Sequence, residues 1–170
     1  MANEAFQRLK SILVSGSLTL ITKKRILECY VLPILLYGSE CWTISSQMTK
    51  KLEAVELWFY RRILKVSWTS HQINEEILKR MNTTGTLRKT IRQRQIRFFG
   101  HLIRKDGMES LSIMGKIDGK RSRRRQRTTY MYVKGMTSWT GTTPCELIHA
   151  ARDRNRWRIM TADVRQDMAH

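Results

Sequence analysis

The sequence predicts a mainly α-helical chain, with a helical bundle up to about Lys105 followed by a basic linker and terminal helices. Apolar residues recur at helical spacing along nearly the whole chain, and no long stretch alternates with the period of two that is typical of strands. The 170 residues are 41% hydrophobic and include five Trp, which is enough for the core of one ordinary domain or of two small ones. Helices packed on helices are therefore the expected architecture.

Two helices are predicted in the first 44 residues, which we take as the first segment of the chain, 1–44. A short first helix ends near Ser15-Gly16, and its apolar positions are Phe6, Leu9 and Leu13. A second helix begins near Leu18 or Thr19, and Pro33 is expected to kink or end it because proline has no backbone N–H to donate. The chain then turns through Tyr37-Gly38.

Residues 45–105 are predicted to form a helical extension. Its first helix has Ser46 as the expected N-cap and a wide apolar face made of Met48, Leu52, Val55, Trp58, Phe59, Ile63 and Leu64. The next helix runs from about His71 to Met81 with Ser70 as its cap, and its inward residues are Ile73, Ile77 and Leu78. The stretch Asn82 to Gly85 breaks that helix.

The last helix of this extension, roughly Thr86 to Lys105, has an apolar side and a basic side. The apolar positions fall within about 60° of one another at 100° per residue, and they are Leu87, Ile91, Phe98 and Leu102. Lys89 and Arg97 point well away from that side. We therefore expect one side to pack and the other to be able to meet phosphate.

The remainder is predicted to be a basic linker, 106–142, and C-terminal helices, 143–170. Apolar periodicity fails from Asp106-Gly107 to about Arg127, and Lys116 to Arg127 is too charged and too poor in apolar residues to pack by itself, which predicts an exposed loop or linker. Helix restarts at Thr143, because Thr at the N-cap, Pro144 at N1 and Glu146 at N3 form a capping box. The tail beyond Asp163 is expected to fray.

The charge of the chain is concentrated in one segment. Arg88 to Arg127 holds fourteen Lys or Arg and three acids, within a chain of net charge +18. Arginine forks suit bidentate phosphate contacts, so RNA and DNA are the expected partners, and no small-molecule substrate is predicted. The candidate nucleic-acid-binding residues are Arg88, Lys89, Arg92, Arg94, Arg97, Lys120, Arg121, Arg123, Arg124, Arg125 and Arg127. A solvated surface is the alternative, and the loop cluster is also typical of a nuclear-import signal.

The sequence does not favour a catalytic or metal site. Glu75 and Glu76 are adjacent, so their carboxylates diverge by about 100° on a helix, and Asp118 stands alone. The three Cys lack metal-ligand or disulfide spacing, which fits an intracellular compartment, and no signal peptide or membrane span is encoded. No cofactor is therefore expected in this chain.

The aromatic residues divide into two groups in this interpretation. Base stacking is the alternative to core packing for Trp58, Phe59 and Tyr60. Packing alone is expected for Trp42, Trp68 and Trp157.

Several segments in fixed order carry a resemblance to a known family. They are Cys29-Tyr-Val-Leu-Pro-Ile-Leu-Leu-Tyr-Gly-Ser-Glu-Cys-Trp42, Glu56-Leu-Trp-Phe-Tyr-Arg-Arg-Ile-Leu-Lys-Val-Ser-Trp68, Phe99-Gly-His-Leu-Ile-Arg104, Gly115-Lys-Ile-Asp-Gly-Lys-Arg-Ser-Arg123 and Asp153-Arg-Asn-Arg-Trp-Arg158. Together they resemble the region after the polymerase core in endonuclease-reverse transcriptases of LINE-type (non-long-terminal-repeat) retrotransposons, closest to the RTE/BovB-like clade. The resemblance spans nearly the whole chain. One departure is Arg123-Arg124-Arg125, where relatives often have Arg-Gly-Arg.

The resemblance implies a helical thumb from about Phe6 to Trp42 and a basic extension that grips template RNA and target or product DNA. The family's palm holds magnesium with a Tyr-Ala-Asp-Asp-like motif, which this sequence lacks. We therefore expect no polymerase activity from the isolated chain, a polymerase core as a partner in the full-length protein, and a location in the nucleus. The alternatives are a protein-interaction or assembly module, and a non-functional remnant of a retroelement.

Overall fold

A computed structural model describes residues 1–85, 87–105, 107–114 and 131–166, and within these ranges the protein is mainly helical and contains no strand. The predicted fold class is thus confirmed. The chain divides into two compact units. Unit 1 comprises Met1–Ser39 and Ser45–Arg88, and unit 2 comprises Glu40–Ile44 and Lys89–His170. The four predicted segments describe stretches of chain rather than packed units, and their boundaries stay a prediction.

Unit 1 begins with short helices. They are α1 (Ala2–Arg8), α2 (Lys10–Val14), α3 (Leu20–Ile26), a π-helical turn (Leu27–Val31) and α4 (Leu32–Leu35). Thr19 caps α3, because its hydroxyl accepts the Thr22 N–H at 3.3 Å. The predicted start of this helix near Leu18 or Thr19 is therefore confirmed. The π turn ends two residues before Pro33, whose missing N–H interrupts the α-helical hydrogen bonds. Gly38 adopts a positive φ of 69° in the predicted turn.

The second half of unit 1 contains α5 (Ser46–Ile63) and α6 (Asn74–Arg80). The predicted cap of α5 is wrong by one residue, because Ser45 accepts the Met48 N–H at 3.2 Å and Ser46 is already helical. The predicted start of α6 is also wrong. Ser70 ends a 3₁₀ turn, His71 has a φ of 48°, and the helix starts three residues later. A positive φ at His71 does not continue a right-handed helix, and this is the reason for the delay.

Three aromatic rings occupy the centre of unit 1. The centroid of Phe6 lies 5.4 Å from the ring of Trp58 and 5.1 Å from the ring of Phe59. Phe59 and Tyr60 are buried, and Arg62 covers the outer part of Trp58 at 4.7 Å from its centroid. Burial removes Phe59 and Tyr60 from the candidates for base stacking, so that alternative is wrong for both of them.

A buried carboxylate lies beside this aromatic cluster. Glu56 is 4% exposed, and its two oxygens accept the Tyr60 hydroxyl at 2.8 Å and the Leu87 N–H at 3.4 Å. Leu87 is the first residue of the next helix, where the backbone N–H has no partner inside the helix. Glu56 thus fixes the point at which that helix begins.

On α6, Ile77 is fully buried and Leu78 half-buried, but Ile73 is 63% exposed and was wrongly predicted to face inward.

The remaining helices are α7 (Leu87–Lys105), α8 (Met108–Met114), α9 (Met131–Thr140), α10 (Pro144–Arg152) and α11 (Arg154–Gln166). The longer of the two segments of unit 2 begins inside the first turn of α7, at Lys89. The prediction of a loop from Asp106 onward is wrong for Met108–Met114, because apolar residues at 108, 111, 113 and 114 support a short helix there. Residues 115–130 lie outside the described part of the chain.

The helix restart at Thr143 is confirmed: its hydroxyl accepts the Glu146 N–H at 3.3 Å, and Glu146 accepts the Thr143 N–H at 2.9 Å.

The core of unit 2 is a cluster from α7, α9, α10 and α11. Its buried members are Ile96, Phe99, Ile103, Val133, Met136, Leu147, Ala150, Ala151 and Trp157. Packing of Trp157 was predicted and is confirmed, with its ring 5.8 Å from that of Phe99. Trp42 is half-buried, and its carbonyl accepts the Gln95 side-chain N–H at 2.8 Å.

Candidate nucleic-acid interface

The buried side of α7 differs from the predicted one. Within unit 2, Ile96, Phe99 and Ile103 are buried, whereas the predicted core residues Phe98 and Leu102 are only half-buried. Leu87 and Ile91, at the start of the helix, are buried as predicted. The apolar side therefore rotates along α7 by roughly 130° at 100° per residue, which a single-sided interpretation of the pattern could not show.

The five candidate cations on α7 do not share one side of the helix. At about 100° per residue, Arg94 lies about 60° from Arg97, whereas Arg88 and Arg92 lie about 140° to 180° from it. Arg88 and Arg97 are exposed, and Lys89, Arg92 and Arg94 are half-buried. The sequence thus identified basic residues on a helix, but it did not show that their side chains point to different sides of that helix.

Some of these cations are already engaged within the protein. A guanidinium nitrogen of Arg94 lies 3.8 Å from Glu40, in a pair that is about one third exposed and therefore weak. Arg92 also interacts within the chain. By contrast, the side chains of Lys89 and Arg97 form no ion pair or hydrogen bond with any residue in the described ranges. These two are the stronger candidates for phosphate contact among the α7 residues of unit 2.

A further cation, Arg104, continues the direction of Arg97. It lies seven residues later on α7, about 20° from Arg97 around the helix and about 10 Å along it. Its Nη1 donates to the Ala151 carbonyl at 2.7 Å, at the C-terminal end of α10. A cation at the carbonyl end of a helix is favourable because it compensates the helix dipole. Burial, and then repulsion from the Arg154 guanidinium, lower the pKa of Arg104.

A second basic segment follows on α10 and α11. Arg152, Arg154, Arg156 and Arg158 are all exposed. Asp153, the residue between the two helices, accepts the N–H groups of Asn155 at 2.8 Å and Arg156 at 3.4 Å. Its carboxylate therefore caps α11 while the arginines on both sides of it remain at the surface.

Gly100 is the residue that lets α11 approach α7. A Cβ at this position would overlap the indole of Trp157, including its Cδ1 at 2.8 Å. At Gly100, α7 contacts Trp157 of α11, and one helical turn later, at Arg104, it contacts Ala151 of α10. The close approach therefore packs α11, the helix that carries Arg154, Arg156 and Arg158, against the C-terminal half of α7.

The two segments that meet here were both part of the family resemblance. One is Phe99 to Arg104, and the other is Asp153 to Arg158. Sequence reasoning did not include Arg104 or Arg154 among the candidate residues. The available signal was the alternation of arginine around Trp157, at positions 152, 154, 156 and 158.

The loop half of the candidate set cannot be placed in this site. Lys120, Arg121, Arg123, Arg124, Arg125 and Arg127 lie outside the described residues. Their role in nucleic-acid binding stays a prediction.

Other kinds of site find no support in the described ranges. No group of three or more His, Cys, Asp or Glu side chains there is arranged to hold a metal ion. None of the helices in these ranges is both long enough and apolar enough to span a bilayer.

Comparisons with protein-family models, with curated proteins and with solved structures found no match for the chain.

Proposed function

We propose that this chain is the nucleic-acid-binding C-terminal portion of a LINE-type retrotransposon reverse transcriptase. It grips template RNA and target or product DNA through their phosphates and carries no catalytic palm. Its place of action is the nucleus, beside the polymerase core of the full-length protein. The family assignment rests on the resemblance of the sequence segments, and the binding role rests on charge.

One observation carries the binding role. Unit 2 has nineteen Lys or Arg against eight acids, and exposed or half-exposed cations on α7 and α11 lack carboxylate partners within the described residues. Lys89, Arg97 and Arg154 are in this condition. Cations left without internal partners attract a polyanion and release its counterions, which makes binding strong at low salt and weak at high salt.

The test is a salt series on the purified chain with fluorescent single-stranded RNA and duplex DNA. Six phosphate contacts imply a slope of log affinity against log salt near −5 on duplex DNA, at about −0.9 per phosphate. The double variant Lys89→Ala/Arg97→Ala should reduce the size of the slope by up to about 1.8. Replacement of Arg121, Arg123, Arg124, Arg125 and Arg127 by Ala tests the loop half of the candidate set in the same assay.

The matched control removes the same charge from unit 1. Lys50 and Lys51 are exposed on α5, so Lys50→Ala/Lys51→Ala lowers the net charge by the same amount without touching α7. Equal effects of the two double variants would mean that net charge alone attracts the nucleic acid. Absence of binding at low salt would remove the proposed function.

A second candidate function is an assembly module, and one observation favours it. Tyr30, Ile34 and Tyr37 of unit 1 are 63%, 44% and 85% exposed, and they lie close together in sequence around α4. The polymerase core of the same protein is the partner that we propose for this surface. Replacement of both tyrosines by Ser should then weaken copurification with that core and leave RNA affinity unchanged.

A further inference from the structure

Two arginines of unit 2, Arg104 and Arg154, lie at the junction between α10 and α11. Arg104 lies at the carbonyl end of α10, and Arg154 begins α11 three residues after Ala151, the residue whose carbonyl Arg104 binds. Both side chains are cationic, and within the described ranges no carboxylate forms an ion pair with either of them. Two neighbouring like charges without a counterion destabilise the fold that holds them.

We infer that Arg104 and Arg154 together form a binding site for a single phosphate group, the point at which unit 2 holds the backbone of its nucleic acid. This inference rests on the proposed function, because it names the group of the ligand that the site takes. An anion placed between the two guanidiniums converts their repulsion into two attractions.

The geometry of Arg104 supports this role. One of its five N–H groups is used on the Ala151 carbonyl, and that bond holds the guanidinium at the end of α10. The remaining N–H groups are available for phosphate oxygens, and less side-chain freedom is lost on binding because the fork is already positioned. The lowered pKa of Arg104, from burial and then from Arg154, agrees with a cation that lacks a compensating charge.

The N-terminus of α11 is not the source of this site. Asp153 already accepts the N–H groups of Asn155 and Arg156, so the first turn of that helix is occupied by the chain's own carboxylate. The phosphate is held by side chains, and the structural alternative is that Arg104 serves only as a C-terminal cap of α10. The two hypotheses predict different effects of removing Arg154: only the phosphate site should lose affinity for phosphate.

The experiment titrates the full chain with inorganic phosphate at constant ionic strength and follows thermal unfolding and heat of binding. The variant is Arg154→Ala, and the control is Arg158→Ala, which removes an exposed arginine one turn further along α11. Without phosphate, Arg154→Ala should unfold at the same or a higher temperature than the wild type, because the repulsion is gone. With phosphate, it should bind about tenfold more weakly or lose the stabilisation, and Arg158→Ala should retain both. Arg104→Lys, which keeps the charge but loses the fork, should weaken binding to an intermediate extent.

Equal phosphate responses of the Arg154 and Arg158 variants, or no saturable phosphate binding by the wild type, would overturn the inference. Nucleic-acid binding by the same variants tests the phosphate site separately from the proposed function. Arg154→Ala should reduce the size of the salt slope on duplex DNA by about 0.9, the value of one phosphate. RNA and DNA binding that is unaffected by Arg154→Ala removes the phosphate site and leaves the proposed function. Phosphate binding that depends on Arg154, without nucleic-acid binding, removes the proposed function and leaves the site.

Discussion

Both compact units use a charged side chain at the end of a helix, but they use it differently. In unit 1 the carboxylate of Glu56 is buried and accepts the N–H that opens α7 together with the Tyr60 hydroxyl. In unit 2 the guanidinium of Arg104 is half-buried and donates to a carbonyl that closes α10. Each charge matches the sign that its helix end prefers.

The difference lies in how much bonding capacity remains. Glu56 is enclosed by donors from its own unit, so its charge serves the fold. Arg104 uses one donor and stands beside another cation, so part of its capacity is directed outward. The buried charge of Glu56 thus has a structural role, whereas the half-buried Arg104 is the residue for which we propose a ligand.

The largest expected effect is on the buried carboxylate of unit 1. Glu56→Ala leaves the Tyr60 hydroxyl and the Leu87 N–H without their partner in a buried place, and we expect the free energy of unfolding to fall by about 3 kcal/mol. Urea unfolding followed by circular dichroism measures this. Glu53→Ala, at an exposed position of the same helix, should change stability by less than about 0.5 kcal/mol. Similar losses in both variants would contradict the structural role of Glu56.

The next effect tests the shape of the contact in unit 2. Gly100→Ala places a methyl group against the Trp157 indole, and overpacking of about 1–3 kcal/mol outweighs the gain of about 1 kcal/mol in helix propensity. We expect a net loss of about 1 kcal/mol and a change in Trp fluorescence. Gly135→Ala on α9, where the added Cβ would have no neighbour within 4 Å, should be neutral or stabilising by up to about 1 kcal/mol. A stabilising Gly100→Ala would show that α7 and α11 are less close than described.

The smallest effect concerns the capping box of α10, which also introduces a pH dependence. Thr143→Ala should cost about 1 kcal/mol, because the N–H of Glu146 loses its acceptor. Hydrogen bonds from the Thr143 backbone and then from its side chain lower the pKa of Glu146. A lowered pKa in the folded state means that this contribution is present above the ordinary glutamate pKa, near 4, and is lost as the pH falls through the lowered value.

Acid unfolding of two variants checks this sign. Glu146→Gln keeps a side-chain acceptor for the Thr143 N–H, so it should retain most of the cap and lose the pH-dependent part. Thr143→Ala removes the hydroxyl that accepts the Glu146 N–H but keeps the backbone N–H that binds the Glu146 carboxylate, so it should lose much of the cap and retain most of the pH dependence. An unchanged acid profile in Glu146→Gln would mean that the carboxylate does not contribute through its charge.

The sequence predicted local features well. The capping box at Thr143, the turn at Gly38 and the helix start near Thr19 each depend on residues within four positions of one another, so their chemistry is visible in a short window. The cap of α5 was predicted one residue too late, because Ser45 and Ser46 are adjacent and both have the required hydroxyl. The delayed start of α6 depends on a left-handed residue, His71, that is not glycine and therefore gave no signal.

The candidate site was predictable in charge but not in arrangement. Arginine content located α7, yet the bond from Arg104 to the Ala151 carbonyl joins residues 47 positions apart and no periodicity indicates it. The rotation of the buried side toward Phe99 and Ile103 is set by helices from later in the chain. Tertiary contacts of this kind decide which cations remain at the surface.

The contact between Gly100 and Trp157 also limits how α7 can slide lengthwise. A shift of one turn in either direction would bring Ile96 or Arg104, in place of a glycine, against the indole, and neither side chain fits where a single Cβ already overlaps. The same shift would carry Arg104 about 6 Å from the Ala151 carbonyl. The axial position of α7 on the α10–α11 hairpin is therefore all-or-none: one register satisfies both contacts, and the neighbouring registers satisfy neither.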